Sequence, residues 1–398
     1  MSEIFDAKAF LQEKIKGIKR IIGPAKALVA VSGGVDSTTS AVLTHKAIGA
    51  NLVCFFIDDN FMRIGETKRV KQILSSPPLS LPVKVLDEKK RFMGSLMGLK
   101  DAEEKRKAFR DTFYNVLSEA VRREKCKYLV QGTIKADVLE TAQGVKTQHN
   151  VLEQIGINPL DRFGFEVVEP LVSLYKFQVR EVSRLLGIPE EISERQPFPG
   201  PGLSIRVVGE INEEKLDEVK KATAIVEEDL KDVGADQYLA AILENDFKHK
   251  ADQTVRTTIA SIQGHRSLEL RMQFLHQKGT GMAGKNRVYG NISVITPAER
   301  EGGVTEIEHD LLRRVQSTIQ SHRPELTHSL FHIKSRESGN YLIALRAVKT
   351  RDFMTAEVAE VPWSVLLEVS DKILKACPKV AGVYFDITPK PPATIEYE

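Results

Sequence analysis

The sequence predicts an α/β chain in which a mostly parallel sheet, covered by helices on both faces, is followed by a smaller α+β domain. Three observations carry that reading. Short apolar runs alternate with stretches of helical period as far as Leu186. The first of these runs opens directly into Ser32-Gly33-Gly34-Val35-Asp36-Ser37. The pattern then breaks at Gln196-Pro197-Phe198-Pro199-Gly200-Pro201-Gly202, because three prolines and two glycines in seven residues continue neither a helix nor a central strand.

In order along the chain, residues 3–22 place Ile4, Phe5, Phe10, Leu11, Ile15, Ile18, Ile21 and Ile22 at helical spacing until Gly23-Pro24 stops them. A strand over 27–31, a helix over 38–48 and a strand over 51–57 make a βαβ unit. Strands at 83–86, 128–131 and 167–171, with helices over 102–123 and 177–186, extend it into a sheet whose ligands belong at the carboxyl ends of the strands. Beyond the proline-rich break, a charged helix over 211–233, a strand over 341–348, a helix over 363–376 and a strand over 382–387 form the second domain. The expected boundaries are 1–208 and 209–398, with an insertion at about 236–335. Within it, residues 246–300 are polar and basic and show no period, and 279–290 are rich in glycine.

A length of 398 residues with 42% hydrophobic and 28% charged content suits two or three globular domains. The N-terminus lacks the pattern of a signal peptide, and no apolar run approaches the ~20 residues that cross a bilayer, so a cytoplasmic protein without membrane contact is expected. A net charge of +3 argues against a dedicated nucleic-acid binder. Cys54, Cys126 and Cys377 form no CxxC pair, which disfavours a zinc ribbon or a cysteine-held cluster, and Cys54 reads as a small buried hydrophobe.

The segment Ser32 to Ser37 leaves a strand and opens a helix, so backbone N–H groups and the positive end of the helix dipole converge on one point suited to an anion. Adjacent Gly33 and Gly34 allow backbone to approach a phosphate, and Ser32 and Ser37 add hydroxyls. A bare phosphate would repel Asp36, whose carboxylate makes sense as a ligand of Mg²⁺ carried by a nucleotide. No lysine follows the glycines as the Walker pattern requires, which disfavours transfer of a γ-phosphate. A lone Ser-Gly-Gly would read as a tight turn with a serine cap. The full hexapeptide in a βαβ setting resembles instead the signature of the ATP-pyrophosphatase, or PP-loop, families, which cleave ATP between its α and β phosphates.

Two further segments resemble one member of that class. Glu194 to Leu203 is similar to the RHPFPGPGL segment of GMP synthetases, and Asp386 to Glu398 to their C-terminal YDITSKPPATIEWE. Weaker similarities occupy 101–112, 146–150, 168–180 and 345–356. The resemblance implies a PP-loop (adenine nucleotide alpha hydrolase-like) domain followed by a dimerisation domain, and a ligase in which O2 of XMP attacks the α-phosphorus of MgATP before ammonia displaces AMP. It implies ATP and pyrophosphate contacts from Ser32, Gly33, Gly34, Val35, Asp36 and Ser37, with Gly132 and Thr133 beside the adenosine and Asp36 on the Mg²⁺. Asp58, Arg63, Asp137 and Lys146 are expected near the reacting nucleotides. Pro199, Gly200, Arg206, Lys390, Thr394, Ile395 and Glu396 are expected around XMP, with Arg336 replacing an RTY arginine that is absent ahead of strand 341–348.

The implied partners are XMP, ATP and ammonia, a second copy of the chain through the C-terminal domain, and a separate glutamine amidotransferase subunit, because the PP-loop begins near residue 32 with no glutaminase domain ahead of it. Departures from the family at Lys135-Ala136, Gln148, Phe177-Gln178 and Gln196 leave two alternatives open. One is a divergent amidating paralogue with a different carbonyl acceptor; the other is a nucleotide-binding regulator without catalysis.

Overall fold

The computed structural model describes residues 5–142, 158–248, 255–260, 267–284, 286–297, 307–350 and 354–398. Lys146 and Gln148 lie outside them. The chain divides into two compact units, Met1–Leu96 with Lys107–Pro201, and Met97–Arg106 with Gly202–Glu398.

The first part of the chain runs α1 (Ala7–Ile22), β1 (Ala27–Ala30), α2 (Val35–Ile48), β2 (Leu52–Asp58), α3 (Glu66–Ser75), β3 (Val83–Asp87), α4 (Lys89–Leu96) and α5 (Ala102–Glu124). It continues through β4 (Tyr128–Val130), α6 (Lys135–Ala142), α7 (Pro159–Phe163), β5 (Glu166–Val168), α8 (Lys176–Leu185) and α9 (Glu190–Ser193). Asp6 caps α1 by accepting the N–H groups of Lys8 and Ala9, and Gly23 ends it at φ 58°, a conformation that costs glycine little. The five strands pair in parallel in the order β3-β2-β1-β4-β5. Every residue of β2 is buried, as a strand covered on both faces requires. Successive strands step outward from β1 to β3 and then from β4 to β5, so the order reverses between β1 and β4. That switch point is where open parallel sheets leave a crevice for ligands.

The second unit contains α10 (Glu213–Asp229), β6 (Gln237–Glu244), β7 (Val255–Ala260), β8 (Ser267–Ala283), β9 (Asn286–Pro297), α11 (His309–His322) and β10 (Leu326–Ser335). It ends with β11 (Tyr341–Lys349), β12 (Glu357–Val358), α12 (Trp363–Ala376) and β13 (Val380–Asp386). Its mixed sheet has the order β12-β11-β13-β10-β9-β8-β7, and β6 pairs antiparallel with β11. Leu243, Ile292, Val294, Leu330, Leu342 and Tyr397 pack together in its core.

The stretch over 246–300 that showed no period holds the longest strands among the described residues, β8 and β9, joined as an antiparallel hairpin. Leu270, Met272 and Phe274 alternate inward, but a register shift between Phe274 and Lys278 breaks the pattern. Gly279, Gly281 and Gly290 of the glycine-rich stretch lie within the strands, where there is no room for side chains. A Cβ on Gly281 would stand 2.3 Å from Thr327 Cγ2 and 2.6 Å from the Pro392 carbonyl oxygen, and one on Gly290 would stand 2.4 Å from Thr327 Cγ2.

Candidate nucleotide sites

β1 delivers the chain to the switch point, where Ser32 to Ser37 turn it into α2. Gly33 adopts φ +80°, and a Cβ there would meet Val70 Cγ2 at 2.5 Å, so both backbone and packing call for glycine. Gly34 occupies the cap of α2 and offers no side-chain acceptor. The first N–H groups of the helix are therefore left for a ligand, and Ser32 and Gly34 are exposed beside them. The Ser32 and Ser37 hydroxyls lie 3.0 Å apart, and Ser37 Oγ accepts the Ser32 N–H at 3.1 Å, which fixes the shape of the turn. Val35 turns its side chain into the core and can offer a ligand only its backbone.

Asp36 projects from the first turn of α2. Its Oδ2 accepts from Lys176 Nζ at 2.5 Å, while its Oδ1 is buried and has no hydrogen-bond partner among the described residues. A buried carboxylate oxygen without a donor is costly unless a ligand or cation completes it. Sequence reasoning gave Lys176 no role, although it lies within the weakly similar stretch 168–180; a lysine opening α8 was the available signal.

Gly132 follows β4 on the other side of the switch point, and a Cβ there would lie 2.8 Å from Asp36 C and from Ser37 N. Gly132→Ala is therefore expected to displace the phosphate loop and raise the KM for ATP about tenfold or more, with a far smaller change in the KM of the acceptor. Steady-state kinetics with each substrate varied in turn checks this.

The neighbouring expected residues make contacts within the protein. Thr133 Oγ1 donates to Glu169 Oε1 at 2.6 Å, and Asp137 Oδ2 accepts the Ile134 N–H at 3.0 Å at the start of α6. Asp58, only 7% exposed, accepts from Thr67 Oγ1 at 2.7 Å and pairs with Lys89 Nζ at 3.1 Å. It organises the loop that follows β2. On that loop Arg63 lies with its guanidinium carbon 4.0 Å from the centre of the Phe198 ring. Arg195 grips Glu66 with two bonds of 2.6 and 3.0 Å. The structure thus brings Arg63 together with the segment that carries Pro199 and Gly200.

The other expected acceptor residues belong to the second unit. Arg206, 1% exposed, makes a forked pair with Glu396, both bonds 2.9 Å, and Gln237 Nε2 adds a third contact to that carboxylate at 3.3 Å. Lys390 is held by reciprocal backbone bonds with Ala356 of 2.8 and 3.0 Å. The Thr394 N–H donates to the Thr280 carbonyl at 3.3 Å, and Ile395 is buried among the core side chains. Arg336 departs from expectation. Its guanidinium donates to the carbonyls of Val380, Leu374 and Cys377, closing the end of α12, and this commits three of its five donors to the backbone. A triplet with the arginine and tyrosine of the RTY motif, Arg287-Val288-Tyr289, lies instead on β9, where Tyr289 Oη accepts from Arg106 at 3.0 Å. An expectation placed directly ahead of the 341–348 strand misses it, since β9 lies two strands earlier.

Cys54 is fully buried, and burial pushes its thiol up to about 12, so it carries no nucleophilic chemistry.

Residues 333–397 match the family model described as GMP synthase C terminal domain. Over 395 residues the chain is 41% identical to one subunit of the GMP synthase (glutamine-hydrolyzing) of Sulfurisphaera tokodaii, covering 99% of this chain and 100% of that one. The chain belongs to this family of GMP synthase subunits. The corresponding subunit of Methanopyrus kandleri, 39% identical over 395 residues, again covers 99% of this chain and 100% of its own length. Both alignments run through the segment at 236–335, which these family members therefore share. Among solved structures, NMN synthetase from Francisella tularensis is 16% identical, with a TM-score of 0.39 over 55% of this chain and 86% of that one. Similarity along the whole length of the family does not favour the paralogue or the regulator. No helix among the described residues is long and apolar enough to cross a membrane.

Proposed function

We propose that this chain is the ATP-pyrophosphatase and amination subunit of GMP synthesis, converting XMP, ATP and ammonia to GMP, AMP and pyrophosphate. The observation that carries this reading is the open N-terminus of α2 at the switch point, with Asp36 and Lys176 beside it. The N–H groups after Gly34 and the Ser32 and Ser37 hydroxyls receive the departing pyrophosphate. Lys176 neutralises its charge, and Gly132 leaves the loop room to hold its shape.

The partnerless Oδ1 of Asp36 fits a metal ion brought in with the nucleotide, and Asp36 would hold it. Bound there, Mg²⁺ supplies electrostatic stabilisation of the phosphates. XMP is oriented by residues of the second unit, Arg206, Lys390, Thr394, Ile395 and Glu396. Its O2 displaces pyrophosphate from the α-phosphorus to give an adenylylated intermediate. Ammonia then adds at C2 and AMP leaves, carrying the former O2 of XMP. Activation is required because a ring oxygen is otherwise a poor leaving group. Three contacts already made by Glu396 leave its carboxylate one further acceptor position for a purine N–H. Arg336 is left out of the acceptor set.

The relatives are named as one subunit of a glutamine-hydrolysing enzyme. Ammonia reaches this chain from a separate glutaminase subunit, and two copies pair through the C-terminal domain in the cytoplasm. With ammonium, ATP, Mg²⁺ and XMP the purified chain is expected to form equal amounts of GMP, AMP and pyrophosphate. With glutamine as the only nitrogen source it is expected to form no GMP. Turnover on glutamine by the chain alone would sink the separate-subunit assignment, and no turnover on ammonium would sink the acceptor.

A further inference from the structure

The segment 389–398, which carries Lys390, Thr394 and Glu396, is pinned from within the second unit by a buried group that the mechanism does not use. His328 on β10 is 0% exposed. Its Nδ1 lies 2.7 Å from Asp386 Oδ2, and its Nε2 lies 3.1 Å from the Thr280 carbonyl oxygen. Carboxylate and carbonyl oxygens are acceptors, so each ring nitrogen of His328 faces one, and the ring bridges the two. Its face stacks on Tyr397, with centroids 4.2 Å apart and planes at 15°.

Both partners of His328 also hold the C-terminal segment. Asp386 Oδ2 accepts from Tyr397 Oη at 2.7 Å and from Arg346 at 2.8 Å. Burial alone would raise the Asp386 carboxyl, but Arg346 and His328 beside it keep it well below the usual carboxylate range. Thr280 donates its N–H to the Tyr397 carbonyl at 2.8 Å, and its own carbonyl accepts the Thr394 N–H at 3.3 Å and lies 3.0 Å from the Thr394 hydroxyl. The packing accommodates the ring with no space to spare, since a Cβ on Gly279 would come 2.6 Å from His328 Cδ2.

We propose that His328 is a positioning residue for the acceptor nucleotide, tying Asp386 to Thr280 so that Tyr397 and Thr394 are held in register and the segment between them presents one arrangement to XMP. The inference rests on the assignment of that segment to the XMP site. The same network makes His328 the link between β8, β10 and β13, and hence gives the glycine-rich hairpin a role in substrate recognition without contact to substrate.

The test uses the full chain with ammonium as nitrogen source, measuring KM for XMP and for ATP separately. Asn at 328 can donate only near the Nδ1 position, whereas Gln can donate near Nε2. His328→Asn is expected to raise the XMP KM about tenfold while leaving the ATP KM within about twofold, and His328→Gln to recover most of the loss. Tyr397→Phe, which keeps the stacked ring and removes only the hydroxyl, is expected to behave like His328→Asn and serves alone if the histidine variants do not fold. Unchanged XMP KM in the folded variants, equal effects of Asn and Gln, or parallel rises in both KM values would overturn the proposal. Lys390→Ala is measured alongside. If it too leaves XMP untouched, the assignment of the segment has failed; if it weakens XMP while His328→Asn and Tyr397→Phe do not, only the positioning role has.

Discussion

Asp36→Asn is expected to reduce pyrophosphate release by about a hundred- to a thousandfold while the protein stays folded, the scale seen when one preorganised electrostatic contact to a transition state is removed. The substitution keeps the shape of the side chain but removes the charge that pairs with Lys176 at 2.5 Å and that would hold the metal through the partnerless Oδ1. Both losses act where charge builds up on the departing pyrophosphate, so kcat falls more than ATP binding does. The Asp36 side chain is not part of the hydrophobic core, and thermal unfolding should shift by only a few degrees. Near-normal turnover at saturating Mg²⁺, followed by direct assay of pyrophosphate, would show that another group carries the metal.

Lys390→Ala is expected to weaken XMP binding by about 1.5–3 kcal/mol, a ten- to hundredfold loss, with ATP affinity nearly unchanged. Lys390 lies in the second unit and Ser32 to Ser37 in the first, so on the proposed assignment the two nucleotides are read by different parts of the chain. Equilibrium titration of each nucleotide measures the two affinities independently. The structure favours this point substitution over deletion of the last nine residues. Tyr397 and Ala393 are 0% exposed, and Glu398 is buried against Lys105, whose Nζ also donates to the carbonyls of Val207 and Gly209 at 2.8 and 2.7 Å. Burial pulls the Lys105 ammonium down and pushes the Glu398 carboxyl up, and removing one partner leaves the other buried without compensation. A truncation would therefore destabilise the second unit and lose XMP for an uninformative reason. Loss of ATP binding in Lys390→Ala, or undiminished XMP binding, counts against the division of labour.

The strand-to-helix turn at Ser32 to Ser37 and the parallel strands could be read from residues alone because their signals are local. Ser32 to Ser37 declares an anion-binding turn through glycines, hydroxyls and an acid within six positions, and the flanking apolar runs declare the strands. The hairpin of β8 and β9 could not be read this way. Its glycines are strand residues only because β10 and the C-terminal segment press against them, and nothing within the hairpin's own sequence announces those neighbours. The surroundings of Arg336 could not be read for a related reason: a charge near the right strand says nothing about which acceptors surround it, and here they are carbonyls at the end of α12 and the start of β13.

By itself, then, the sequence determined the α/β order of the first part, the strand-to-helix turn at Ser32 to Ser37 and the family resemblance, since each depends on spacing between near neighbours or on rare strings of residues. Only the tertiary structure decided that Lys176 meets Asp36 across 140 positions of chain, that Arg206 clasps Glu396 across 190, and that His328 stands between Thr280 and Asp386. Those pairings depend on which strand ends and segments the sheets bring together, and a hydrogen bond or ion pair exists only when two groups are carried to within about 3 Å of each other.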